Sequence, residues 1–221
     1  MTEDADAGFL CGLAYIELNA RPKPPLEALA APVLRGARYG GRPIYFSDVV
    51  VRRESPVRSF AELRGRSWSY NEPWSHSGYG ITRYHLVRLG QTNGFFDKVV
   101  DAGYHKRSLE LVCSGEVDAS AVDSQVLAVA LRDEPELAER LRVIESLGPS
   151  TIQPFAVARR LPTQLKEEIR NALLEVASEP DAHEYLDQGF IDGFVAVNDR
   201  SYDDLRCMVD ACREADFLTL R

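Results

Sequence analysis

Two serines, a histidine and a glycine stand together in Ser75-His76-Ser77-Gly78, within the segment Asn71-Glu72-Pro73-Trp74-Ser75-His76-Ser77-Gly78-Tyr79-Gly80. The residues that follow predict a helix over 79–89, closed by Gly90. The first N–H groups of a helix have no internal partner. The helix dipole adds about half a positive charge at that end. Ser75 and Ser77 supply O–H donors, and Gly78 lets a ligand approach the backbone. Together these are the parts of an anion cradle. A plain serine N-cap uses the same residues.

Two further junctions carry chemistry. In Ala102-Gly103-Tyr104-His105-Lys106-Arg107-Ser108, His105 lies at a helix start, where it could donate to an oxyanion. A solvent-facing loop histidine is the plainer alternative, and Lys106 and Arg107 read as solvated charges. In Val117-Asp118-Ala119-Ser120-Ala121-Val122-Asp123-Ser124-Gln125, Asp118 and Asp123 point to opposite faces of a strand. Asp123 sits at its carboxyl end. A carboxylate there could accept a P–OH hydrogen bond from a protonated anion, or pair with a ligand amine, or simply N-cap the next helix. Ser77, His105 and Asp123 also have the residue types of a hydrolase triad, which is recognised by geometry rather than order. Ser77 does not lie in a G-x-S-x-G elbow, however. None of the four histidines is paired at i, i+4, so no metal pattern is present. There is no G-x-G-x-x-G for a dinucleotide, and no cofactor is expected.

The elements that must position these residues alternate. Strands are expected at 7–13, 44–52, 67–70, 95–101, 117–123, 141–147 and 155–158. A short helical or turn segment is expected at 26–31, and helical segments at 59–65, 79–89, 106–113, 125–132, 164–178 and 202–214. In 164–178, Leu165, Ile169, Leu173 and Val176 fall at helical spacing, the pattern of a core-facing stripe. Alternation of this kind argues for an α/β fold with a mostly parallel sheet, whose ligands sit beyond the carboxyl ends of the strands.

The 221 residues suffice for one large domain or two small lobes. The net charge of -8 argues against nucleic acid and anionic membranes as partners. No apolar run reaches membrane-spanning length. Cys11, Cys113, Cys207 and Cys212 contain no C-x-x-C and read as reduced thiols. The acidic start, Thr2-Glu3-Asp4-Ala5-Asp6, is unlike an export signal, which begins basic and continues apolar.

The ordered set of Leu63-Arg64-Gly65, Ser75-His76-Ser77-Gly78, Gly103-Tyr104-His105 and Gly115-Glu116-Val117-Asp118-Ala119 resembles the phosphonate/phosphite/phosphate substrate-binding proteins of ABC transporters. Upstream, Gly8-Phe9-Leu10-Cys11-Gly12-Leu13-Ala14-Tyr15 resembles the family strand that delivers a binding-site tyrosine. The resemblance runs from about Ala5 to Tyr202. It implies a type 2 periplasmic-binding-protein fold, with two α/β lobes joined by crossover strands near Ser47 to Arg52 and Ser146 to Thr151. Lobe 1 would comprise 1–47 with 149–221, and lobe 2 would comprise 48–148. The implied ligand set is Tyr15, Ser75, His76, Ser77, His105 and Asp123, with Gln125 secondary. His76 stands where the family has Thr or Ser, and Tyr104 where it has Ser. The implied function is binding of a small phosphorus oxyanion for a permease in the periplasm, without catalysis. An intracellular sensor on the same fold and a serine hydrolase are the alternatives. On this resemblance the N-terminal part of lobe 1, about one βαβ unit, is expected to be missing. The chain is therefore a fragment or a shortened relative, cytoplasmic if complete. An exposed sheet edge would then favour homodimerisation.

Overall fold

The computed structural model describes residues 5–220. In chain order its elements are β1 (Ala7–Phe9), α1 (Gly12–Asn19), β2 (Leu26–Leu34), β3 (Ile44–Arg52), β4 (Ser67–Tyr70), α2 (Ile81–Arg88) and β5 (Lys98–Asp101). There follow α3 (His105–Ser114), β6 (Ala119–Asp123), α4 (Ser124–Asp133), α5 (Glu136–Arg140), β7 (Leu141–Thr151) and β8 (Phe155–Ala158). The chain ends with α6 (Thr163–Glu175), α7 (His183–Gln188), β9 (Ile191–Ala196) and α8 (Asp203–Glu214). No helix among the described residues is long and apolar enough to cross a membrane. None of the four cysteines is in a disulfide among the described residues.

The chain divides into two compact units. One holds the residues up to Tyr45 with Ser150–Arg206, and the other holds Phe46–Pro149 with the residues from Cys207 on. The chain passes between them inside β3, inside β7 and inside α8.

The first unit is built on a four-stranded sheet in the order β1-β8-β2-β9. Each pairing in it is antiparallel. The expected mostly parallel sheet therefore does not describe this unit. Residues 26–31 are not helical either. Leu-Glu-Ala-Leu-Ala-Ala has helical propensity, yet it forms β2 because β8 and β9 satisfy its backbone on both sides. Leu29, Ala30 and Ala31 are fully buried there, and packing overrides propensity. The expected strand over 7–13 stops at Phe9. From Gly12 the chain is helix α1, so Tyr15 is delivered by a helix and not by a strand. No side chain caps α1, which removed the usual sequence signal. Tyr15 packs against Tyr202 with ring centroids 5.0 Å apart, and Leu29, Ile152, Val157 and Leu205 of the same unit are also buried.

The second unit carries a five-stranded sheet in the order β5-β4-β6-β3-β7. Here β4 runs parallel to both β5 and β6, while β3 is antiparallel to β6. The Val49-Val50-Val51 run is buried on both sides of this sheet, as a central strand requires. Val49 and Val51 join Trp68, Phe60, Phe95 and Phe96 in one core. Val50 joins Leu109, Val112 and Val122 of the other. Phe217 and Leu220, beyond the last helix, complete the first of these cores.

Candidate functional site

Because β4, β5 and β6 are mutually parallel, their carboxyl ends lie along one edge of the second unit's sheet. The segments after them are the three junctions that the sequence singles out. After β4 the chain turns through Asn71 and enters a π-helical turn, His76–Gly80, which leads into α2. After β5 it makes a turn at Gly103 and enters α3 at His105. After β6 it enters α4 directly, with Asp123 as N-cap.

Ser75 caps the π-helical turn. Its Oγ accepts the Gly78 N–H at 3.1 Å, and its carbonyl accepts the Gly80 N–H at 3.0 Å. Such turns inside helices are rare and recur at functional sites. The Ser75 and Ser77 hydroxyls are 3.3 Å apart. Ser77 Oγ lies 3.1 Å from His105 Nε2. The structure thus gathers Ser75, Ser77 and His105 into one hydrogen-bonded group. Burial lowers the His105 pKa to about 4, so the ring is neutral near pH 7. A neutral imidazole can donate to Ser77 or accept from it, and could equally turn its N–H to an anion. His105 Nδ1 is buried without a hydrogen-bond partner among the described residues.

The structure treats the remaining expected residues differently. His76 has no exposed surface, and burial, reinforced by the Arg83 charge, lowers its pKa to about 4. Asp123 is 2% exposed, and its Oδ1 accepts the N–H groups of Gln125 at 2.8 Å and Val126 at 3.4 Å. The simple N-cap reading of Asp123 is therefore realised. Gln125 lies in the first turn of the helix so capped. Asp118 accepts from both the backbone N–H and the hydroxyl of Ser67. Tyr15 belongs to the other unit, where its hydroxyl donates to Asp199 Oδ1 at 3.1 Å. Burial and the Asp199 charge raise the Tyr15 pKa to about 12.

One contributor escapes sequence reasoning. Asn71 is 7% exposed, and its carboxamide oxygen has no hydrogen-bond partner among the described residues. That oxygen lies only 2.0 Å from where a Cβ on Gly78 would stand. Asn71 and Gly78 therefore define each other's position at the start of the cradle. The signal in the sequence was the glycine, not the asparagine.

The triad geometry fails at its third member. Ser77 and His105 are bonded, but the Oδ1 of Asp123 is turned to the start of α4, and among the described residues His105 Nδ1 has no hydrogen-bond partner. What remains is a set of donors at a helix start, on the edge where parallel strands end.

The family description "ABC transporter, phosphonate, periplasmic substrate-binding protein" matches residues 2–202. The chain belongs to this family. The phosphonates-binding periplasmic protein of Escherichia coli is 22% identical over 153 residues, covering 67% of this chain and 45% of that protein. The chain thus spans less than half the length of that curated relative. Among solved structures, a binding protein component of an ABC phosphonate transporter from Pseudomonas aeruginosa superposes with a TM-score of 0.82 at 18% identity, over 97% of this chain and 70% of that one. PhnD1 from Prochlorococcus marinus, in complex with methylphosphonate, gives 0.76 at 18% identity, over 97% and 79%. A Xanthomonas citri protein bound to ATP gives 0.67 at 22% identity, over 96% and 80%. At these identities the superpositions establish the fold, which is that of the type 2 periplasmic binding proteins.

Proposed function

We propose that this chain binds a small phosphorus oxyanion, namely a phosphonate, phosphite or phosphate, as the substrate-binding component of an ABC importer. The observation that carries this reading is the bonded group of Ser75, Ser77 and His105 at the start of the π-helical turn before α2. Two hydroxyls and a neutral imidazole offer donors to an oxyanion without a metal. Family membership supports the chemical class, as does the methylphosphonate complex of the Prochlorococcus relative. The proposed ligand set is Ser75, Ser77, His105 and Asp123, with Asp123 accepting a P–OH hydrogen bond. Tyr15, whose hydroxyl donates to Asp199, and His76, which has no exposed surface, complete the set that the family resemblance implies.

A periplasmic location and a permease partner follow from the same reading. Self-association through the edge strand β1, where Phe9 is 56% exposed, is part of it. Sedimentation velocity with a single monomeric species at tens of micromolar would remove that part. We also propose binding without turnover. The Ser77–His105 contact is the one observation favouring a hydrolase, and hydrolysis of a phosphoester that disappears in Ser77→Ala would reinstate it.

Isothermal titration against phosphate, phosphite and methylphosphonate tests the proposal. One of them is expected to bind, and Ser77→Ala is expected to weaken it roughly 10- to 100-fold. A hydrogen bond to a charged group contributes about 1.5–3 kcal/mol, which sets that range. Folded protein that binds none of the three would overturn the reading.

A further inference from the structure

Two large aromatic rings stand exposed beside this group, each adjoining a junction that supplies it. Trp74 is 62% exposed and immediately precedes Ser75. Tyr104 is 58% exposed and immediately precedes His105. The Ser77–His105 bond ties the two junctions together, so the two residues each adjoin a member of one hydrogen-bonded group in the second unit.

Neither residue suits its local position. The Ser75 N–H bonds the Glu72 carbonyl at 3.2 Å, which places Pro73 and Trp74 at the corner of a tight turn. Turn corners of this kind favour Asn, Asp, Ser and Gly, and an indole left 62% exposed there buries little of its surface. Tyr104 is the N-cap residue of α3 and makes no side-chain cap bond. Ser, Thr, Asp and Asn are favoured at that position because their oxygens satisfy a free N–H. Residues that break a local rule with no structural return mark function. Both turns are firmly held. Gly103 adopts φ +80, and its N–H bonds Asp101 Oδ1 at 3.0 Å.

We propose that Trp74 and Tyr104 form an aromatic rim that selects the organic part of the ligand, favouring phosphonates or phosphate monoesters that carry a flat aromatic group. This rests on the oxyanion reading of Ser75, Ser77 and His105. Ring faces reward a flat apolar group by burial and by stacking. An ammonium group would ask for a carboxylate as well, and Asp101, the last residue of β5, already accepts the Gly103 N–H.

The test compares phenylphosphonate, methylphosphonate and 2-aminoethylphosphonate by calorimetry on the full chain. Phenylphosphonate is expected to bind about tenfold more tightly than methylphosphonate, from burial and stacking of one ring. That ratio is expected to fall to about one in Trp74→Ala, and to drop in Tyr104→Ala. The chain has two tryptophans, and Trp68 is fully buried. Phenylphosphonate should therefore shift an emission that Trp74→Phe removes. Equal affinity for the phenyl and methyl compounds, a ratio that survives both alanine substitutions, or a preference for the aminoethyl compound would overturn the rim while leaving the oxyanion site standing. Folded protein that binds phosphate or phosphite but none of these three would overturn the rim alone, and failure with phosphate and phosphite as well would overturn both.

Discussion

Gly78→Ala is expected to weaken oxyanion binding by roughly 100-fold and to destabilise the second unit by about 1–3 kcal/mol, the usual cost of overpacking a tight site. An added Cβ would stand 2.0 Å from Asn71 Oδ1, 3.1 Å from its Cγ and 3.2 Å from its backbone nitrogen. Asn71 is buried, and its backbone nitrogen cannot swing aside as a side chain can. The strain must then displace the turn that Ser75 caps through the Gly78 N–H. Moving Ser75 and Ser77 also breaks the 3.1 Å contact with His105. Binding therefore suffers more than stability, because both serine donors sit on this one turn and His105 meets it through Ser77. Urea denaturation and titration with methylphosphonate check the two effects. Asn71→Ala in the same chain should restore part of both losses, since it removes the atoms that the new methyl meets first. A Gly78→Ala protein that folds and binds like the parent would show that the turn does not hold the site.

Acidification from pH 6.5 to 4 is expected to remove about 3 kcal/mol of stability through His76 alone. Burial, with help from the Arg83 charge, lowers the folded-state pKa of His76 to about 4. In the unfolded chain a histidine titrates near 6.5. Between those values the unfolded state binds more protons, so stability is full above the unfolded pKa and falls as pH drops towards the folded one. Burial moves His105 in the same direction, also to about 4. His85 is lowered too, by burial partly offset by the Glu145 charge. The three histidines therefore reinforce one another. Urea midpoints across this pH range measure the slope, and His76→Gln should make it shallower. The His76 ring protons, followed by NMR in the folded protein, should show no titration above pH 5. A His76 ring that titrates near 6.5 would contradict its burial and this account.

The chemistry of the site was legible before its geometry. Ser75, Ser77 and His105 were marked by their types and by their place at helix starts, because helix termini and strand ends leave clear local signals. Asp123 was marked as well, and its capping of α4 was one of the readings the sequence offered. Asn71 was not, because its role depends on a close approach to Gly78 across the turn. The burial of His76 and the engagement of Tyr15 by Asp199, 184 residues away, were likewise beyond local reasoning.

The helices α3 and α4 and the valine-rich strand β3 were set by local pattern alone, since amphipathic spacing and β-branched runs carry their own periodicity. Segment 26–34 shows the opposite case. Its alanines and leucine favour a helix, and only the hydrogen bonds offered by β8 and β9 make it a strand. Strand β9 also lacked a local signal, because Gly193 interrupts it and its pairing partner lies in β2. The sequence by itself determined which residue types could meet an oxyanion and which helices would present them. Only the tertiary structure decided that three of those residues meet. Parallel pairing of β4 with β5 and β6 is a long-range choice of backbone hydrogen bonds, and it is this pairing that brings Ser77 within 3.1 Å of His105.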